Sequence, residues 1–440
     1  MGRADICHPS LVVEGVQPFG EPRLIPPRRG LTGKAADGFA LDRAGSPNRR
    51  DRSNFKFLLE IDGHNIEEDY QTYVRDIVVE ESIDHCISKL TVRFHNRDLA
   101  FIDDELWKEH SLLNLWLGYN YTGLQKRGNN WICMGAKKTY PAGETNAENA
   151  IVLTAYSQEF RLGRTQKRKV WTNVRDSEIA EQIAAIYGWG ADVERTDPVH
   201  QHVAQMQESD WKFLDRRARM YGYQLFVDDN DVLHFHSPRY IKSGIKMNYF
   251  QGDESQLNGF TVWQETAQYG KEVFGSQVDP LSKELFNVSS QEQPDEVTTK
   301  TQSSSEYPIW GSKDISSLSK ENDARSNPVS EEQPRIFLYE EGHHQTRTEL
   351  QREVEGFSQH TRWLIKAKGQ VIGLEGLRVG EVVEIMDIGR HSGEYYITSL
   401  ESKIISGKFT SFFNCTRTWT GDAMGSMVRN SKVDLVEVPE

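Results

Sequence analysis

His234 and His236 alternate in the segment YQLFVDDNDVLHFHSP, so on a strand their imidazoles share a face at a spacing that can hold a metal ion. A metal needs a third donor, and the sequence places none beside them, so they read as ordinary polar strand residues. The pairs His200/His202 and His343/His344 carry a weaker signal of the same kind. Asp228, Asp229 and Asp231 resemble half of a calcium loop, yet its glycine and distant glutamate are missing, and a turn between two strands is expected instead. Arg216, Arg217 and Arg219 could touch phosphates; with Lys212 they are expected to form the outward, solvated or partner-facing side of a helix. Trp211, Leu214 and Tyr221, on the other side, read as core rather than as a shelf for a ligand. There is no GxSxG elbow, HExxH helix, GxxxxGKS/T loop or strand-linked GxGxxG. No catalytic, cofactor-binding or metal-binding residue is therefore assigned, no cofactor is expected, and the chain is not expected to be an enzyme.

Helices must carry some of these residues. Val174 to Gly188 repeats at helical period, with Ile179, Ile183 and Ile186 on one face, Asn173 as the N-cap and Gly188 as the stop. A second helix is expected from about Ser209 to Gly222, its buried stripe built from Trp211, Leu214, Ala218 and Tyr221, and the hairpin with the two histidines follows it. A third helix is expected over about Gln345 to Gln359, with Leu350, Val354 and Phe357 on its face.

Strands carry the rest. Alternation begins at Phe55, Phe57 and Leu59 and runs through CISKLTVRF, LLNLWLGY, NWICMGAKKTYP and AIVLTAYS. It resumes at MNYF and GFTVWQ and returns in WLIKAKGQVIGLEGLRVGEVVEI, SGEYYITSLESKI and GKFTSFFNCTRTW. The expected fold class is α+β, mainly β: two small β-barrel domains with an intervening α/β unit. Expected boundaries are an extended arm over residues 1–52, a first β-barrel domain over 53–165, the helix-hairpin unit over 166–240, a second barrel split between 241–275 and 336–420, a polar linker over 276–335, and a tail over 421–440.

Composition excludes several classes. The 440 residues suffice for roughly three domains. A net charge of −13 has the wrong sign for a protein whose main work is gripping nucleic acid, so no stable nucleic-acid binding is expected. Residues 1–52 run against the trend, with nine Arg and Lys against six Asp and Glu, a net of +3. Cys7, Cys86, Cys133 and Cys415 are far apart and form no CxxC pair, so four free thiols are expected. No apolar run approaches the ~18 residues of a membrane span, and the N-terminus lacks the apolar region of a secretory signal, so a soluble protein with no membrane partner is expected.

The stretch ESDWKFLDRRARMYGYQLFVDDNDVLHFHSP resembles the central helix and hairpin of the late control D family of contractile-tail hub proteins. GLRVGEVVEI, SGEYYITSLESKI and GKFTSFFNCTR resemble its closing barrel. The likeness spans about Phe55 to Thr420 without the linker, and the same module forms the hub half of type VI secretion spike proteins. The residues that carry it are Trp211, Phe213, Leu214, Tyr221 and Gly222 in the α/β unit, and Gly380, Gly393, Tyr395, Gly407, Thr410 and Phe412 in the closing barrel. The resemblance implies a homotrimeric baseplate hub of a phage tail or phage-derived injection particle, assembled in the bacterial cytoplasm. Such a hub adapts a hexameric tail tube to a trimeric central spike, with wedge or tape-measure proteins as further partners. A tail-associated cell-wall hydrolase is the alternative.

Overall fold

The computed structural model describes residues 55–417 apart from 67–72, 84–85, 96–107, 120–122, 129, 141–148, 250–255, 265–271, 279–282, 284, 291–334, 339–346, 362, 364 and 406. The arm expected over 1–52, the tail expected over 421–440 and most of the expected linker lie outside the described residues.

A first β unit holds β1 (Phe55–Ile61), β2 (His64–Asn65), β3 (Val74–Ser82), β4 (Lys89–His95), β5 (Leu112–Tyr119), β6 (Gly123–Lys126), β7 (Trp131–Thr139) and β8 (Ala150–Tyr156). Its strands show the expected alternation, and Leu59, Ile61, Ile77, Leu90, Leu115 and Leu153 meet in one apolar cluster. After the one-turn α1 (Phe160–Gly163) comes the middle unit: β9 (Gln166–Val174), α2 (Asp176–Tyr187), β10 (Gly190–Val193), β11 (His200–Ser209), α3 (Asp210–Tyr221), β12 (Gln224–Val227) and β13 (Val232–His236). A second β unit follows with β14 (Ile241–Asn248) and β15 (Leu257–Gln264). It is interrupted by β16 (Glu272–Val278), β17 (Leu285–Ser289), β18 (Arg335–Leu338) and α4 (Arg347–Thr361), then completed by β19 (Ile365–Ile372), β20 (Glu381–Met386), β21 (Gly393–Ile405) and β22 (Lys408–Arg417). The chain is thus α+β and mainly β, with an α/β unit between two β units.

The two β units share one hydrogen-bonded sheet, ordered β15-β19-β22-β21-β3-β4-β8-β7-β5-β1-β2. The joint is β21, which is 13 residues long and kinks between Ile397 and Ser399. Tyr395, Ile397 and Leu400 are buried in the second unit's cluster, while the stretch from Ser399 to Ile405 pairs with β3 and delivers Ile404 to the first. Phe409 of β22 joins Ile404 there.

Four expectations need correction. Asn173 does not cap α2: it lies in β9 with a φ of 51°, and Arg175 is the N-cap, its N–H donating to the Glu178 carboxylate at 3.0 Å. Ile186 is exposed; the buried face of α2 is Ile179, Ala180, Ile183 and Ala184. The linker expected from residue 276 begins instead with structure, because β16 and β17 pair across Phe274↔Ser289 to Val278↔Leu285. Val273 and Val288 pack with Leu350 and Val354 of α4, and this small layer packs against α3 rather than extending the second β unit. Of the four thiols expected free, Cys133 and Cys415 are free and buried, whereas Cys86 is disulfide-bonded.

Candidate functional site

Local sequence fixes α3 at both ends: Ser209 accepts from the Lys212 N–H at 3.3 Å, and Gly222 takes a φ of 65° that a side chain would strain. Between them Trp211, Phe213, Leu214, Ala218 and Tyr221 are buried, with Phe213 stacked on Trp171 of β9 at 5.0 Å. Trp211, Phe213 and Leu214 lie in the middle unit's apolar cluster, and Tyr221 and Gly222 are buried.

Arg217 does not look outward. Phe213, Arg217 and Tyr221 follow one another at four-residue spacing and lie on one buried face. The Arg217 guanidinium forks onto Asp176 of α2, with Nε to Oδ1 at 2.5 Å and Nη2 to Oδ2 at 2.6 Å. Tyr221 Oη donates to Asp176 Oδ2 at 2.7 Å, and His200 of β11 bridges Asp176 Oδ2 at 2.8 Å and Glu349 Oε1 of α4 at 2.6 Å. Burial alone would strip the His200 proton, but the two carboxylates push its pKa up to about 9, so both ring nitrogens donate. Burial likewise opposes the charge on Asp176, yet His200 and Arg217 hold its carboxyl well below the usual range. Burial and the Asp176 charge raise the Tyr221 phenol, which stays a donor. Each of the five residues is under a tenth exposed, so the cluster is a closed clamp that ties α4 to α2, β11 and α3. His200 thus works as a bridge between acids, a role hidden in the sequence because Glu349 is 149 residues away.

A second buried charge cluster sits where the three units meet. Arg127, after β6, donates from Nη2 to Glu81 of β3 at 2.5 Å and from Nη1 to the Leu377 carbonyl of the second β unit at 2.6 Å. Burial raises the Glu81 carboxyl against the pull of Arg127. Burial and then the Glu81 charge push Asp229 of the hairpin turn up to about 6, while Arg127 opposes them. Burial pushes Glu381 of β20 up to about 7, again against Arg127. The Arg127 guanidinium pairs with Glu81, and its charge also acts on Asp229 and Glu381 of the other two units.

The remaining expected residues are dispersed. Asp228 makes the hairpin turn, accepting from the Asn230 and Val232 N–H groups at 2.9 Å each. Arg216 pairs with Glu208 and Arg219 with Asp215 at the surface. In the closing strands Gly380 and Gly407 hold φ near +79° and +76°, and Gly393 +138°. Tyr395 is fully buried, donates to the His391 carbonyl at 2.6 Å and lies under Arg417. Thr410 and Phe412 point away from the core; their neighbours Phe409, Ser411, Phe413 and Cys415 fill it, and Phe412 carries Lys403 over its ring. A pocket of about 400 Å³ at the seam of the β units is lined by Phe55, Tyr119, Phe409, Thr410 and Gly407 among others, where Tyr119 Oη donates to the Gly373 carbonyl. His343 and His344 lie outside the described residues.

A family model described as the Alg8 N-terminal domain matches residues 136–252, less than half of the chain. No curated protein matches. Among solved structures, the 43 kDa tail protein of prophage MuSo2 from Shewanella oneidensis aligns with a TM-score of 0.59 at 13% identity, covering 83% of this chain and 99% of that one. The tail protein from Neisseria meningitidis MC58 gives 0.55 at 10% identity, covering 83% and 97%. This chain has the fold of these tail proteins. No helix among the described residues is long and apolar enough to cross a membrane.

Proposed function

We propose that the chain is the structural hub of a contractile-tail baseplate of the late control D kind, a homotrimer that joins a hexameric tail tube to a trimeric central spike. One observation carries this reading: the fold runs through 99% and 97% of two tail proteins. The architecture is consistent with it. Two β units per chain, in three copies, would offer six similar faces to a six-fold partner. The β21–β3 ladder and the Arg127–Leu377 hydrogen bond join the two units directly, a link through which thrust could pass. On this reading the partners are the tube, the spike and other baseplate proteins such as wedge or tape measure, in a virion tail or an extracellular injection particle.

Light scattering of the recombinant protein and symmetry analysis of the parent particle test the proposal. Three copies are expected, and a stable hexamer, or a monomer even within the particle, overturns it. Clearing of a peptidoglycan gel by the folded protein would replace it with the cell-wall hydrolase.

A further inference from the structure

The third donor that sequence could not supply for His234 and His236 comes from β10. In the three-stranded sheet β10-β13-β12, the central strand β13 turns Leu233 and Phe235 into the core and His234 and His236 to the opposite face. The parallel register sets Asp192 of β10 directly beside His234. One donor atom from each of Asp192, His234 and His236 falls within 4.8 Å of the others.

The atoms are also oriented. His236 Nδ1 donates to the Ser237 carbonyl at 2.7 Å, which leaves the lone pair of Nε2 facing inward. His234 Nε2 lies 3.4 Å from Asp228 Oδ2, and Nδ1 is the ring nitrogen that faces His236 Nε2. The ring of His234 is stacked on Phe226 at 4.5 Å and 9°, which fixes its plane. Arg239 forks both Asp192 oxygens at 2.7 Å from outside and holds the carboxylate in place without using all of its lone pairs.

Two of the donor separations fit a metal ion. Donors bonded at roughly 2.0 to 2.1 Å to a tetrahedral zinc ion stand about 3.3 Å apart. Here His234 Nδ1 is 3.1 Å from His236 Nε2 and 3.3 Å from Asp192 Oδ2. We propose that Asp192, His234 and His236 form a binding site for a divalent transition-metal ion, zinc by donor set, with its fourth position open to water or to a partner's side chain.

The test uses the full-length chain, treated with chelator and titrated with Co(II), whose visible ligand-field bands report tetrahedral nitrogen and oxygen donors. One equivalent per chain is expected, displaced by Zn(II). The bands should disappear in His236→Gln and in Asp192→Asn and persist in the exposed control His202→Gln, with circular dichroism showing all three folded. If His236→Gln disturbs the hairpin, the near-isosteric Asp192→Asn decides. Bands that are absent from the wild-type chain, or unchanged in folded Asp192→Asn, overturn the site.

Discussion

Arg217 and Asp176 form a buried bidentate pair in the middle unit, and burial sets its weight: removing one partner leaves the other charge poorly compensated and excluded from water. Arg217→Ala leaves the buried Asp176 charge to His200 and Tyr221 alone and should lower unfolding stability by about 3 to 5 kcal/mol. The readout is the denaturant midpoint at constant slope, and a loss under about 1 kcal/mol would show a pair screened by solvent. His200 adds a pH term whose sign is fixed by a folded pKa raised from 6.5 to about 9. Its contribution is fully present below 6.5 and is lost as pH rises through 9. Melting temperature should therefore fall more steeply between these limits in the wild type than in His200→Gln; parallel curves would remove the imidazolium from the clamp. Sequence could reach half of this. Phe213, Arg217 and Tyr221 at four-residue spacing mark Arg217 as a buried-face residue once Phe213 is counted in the stripe, but His200 and its two acids come from three separate elements and meet only in the fold.

Elements with local signals were legible: Ser209 and Gly222 delimit α3, Gly188 stops α2, and strict alternation marks β4, β8 and β19. Elements that depend on a distant partner were not. The segment with β17 is polar and short, and becomes a strand because β16 pairs with it and α4 covers Val273 and Val288. Asn173 has capping chemistry but lies in β9, whereas the α2 cap is set by Glu178 reaching back to the Arg175 N–H. The docking of α4 depends on Gly356, where an added Cβ would stand 2.6 Å from the Met220 carbonyl oxygen and 2.7 Å from the Gly222 nitrogen. Backbone cannot yield as a flexible side chain can, so Gly356→Ala should push α4 from the end of α3 and cost about 1 to 3 kcal/mol. Thermal denaturation checks it, and proteolysis should cut near α4 first. A variant as stable as wild type would show the helices free to separate.

At the scale of the whole molecule the question is what makes three units one body, and periodicity along the sequence contains almost none of the answer. The alternating residues of β3 and β21 foretell two strands, but not that they pair across more than 300 residues, and nothing in GLQKRG marks Arg127 as the cation at the junction. That junction carries more acid than base: Glu81, Asp229 and Glu381 gather about Arg127, and Glu381 Oε2 has no hydrogen-bond partner. A carboxyl whose folded pKa is raised is favoured in its neutral form. For Glu381 the folded state carries no penalty below the unfolded value of 4.5, and the penalty grows as pH rises until it is complete above about 7. Asp229, raised from 3.8 to about 6, acts in the same direction over a lower window. Glu381→Gln replaces the carboxyl with a neutral group of the same size, so it should raise the melting temperature at pH 8 and change it little at pH 5. An equal shift at both values would mean that packing rather than charge was altered. A drop at pH 8 would mean that Arg127 needs the Glu381 charge more than burial opposes it.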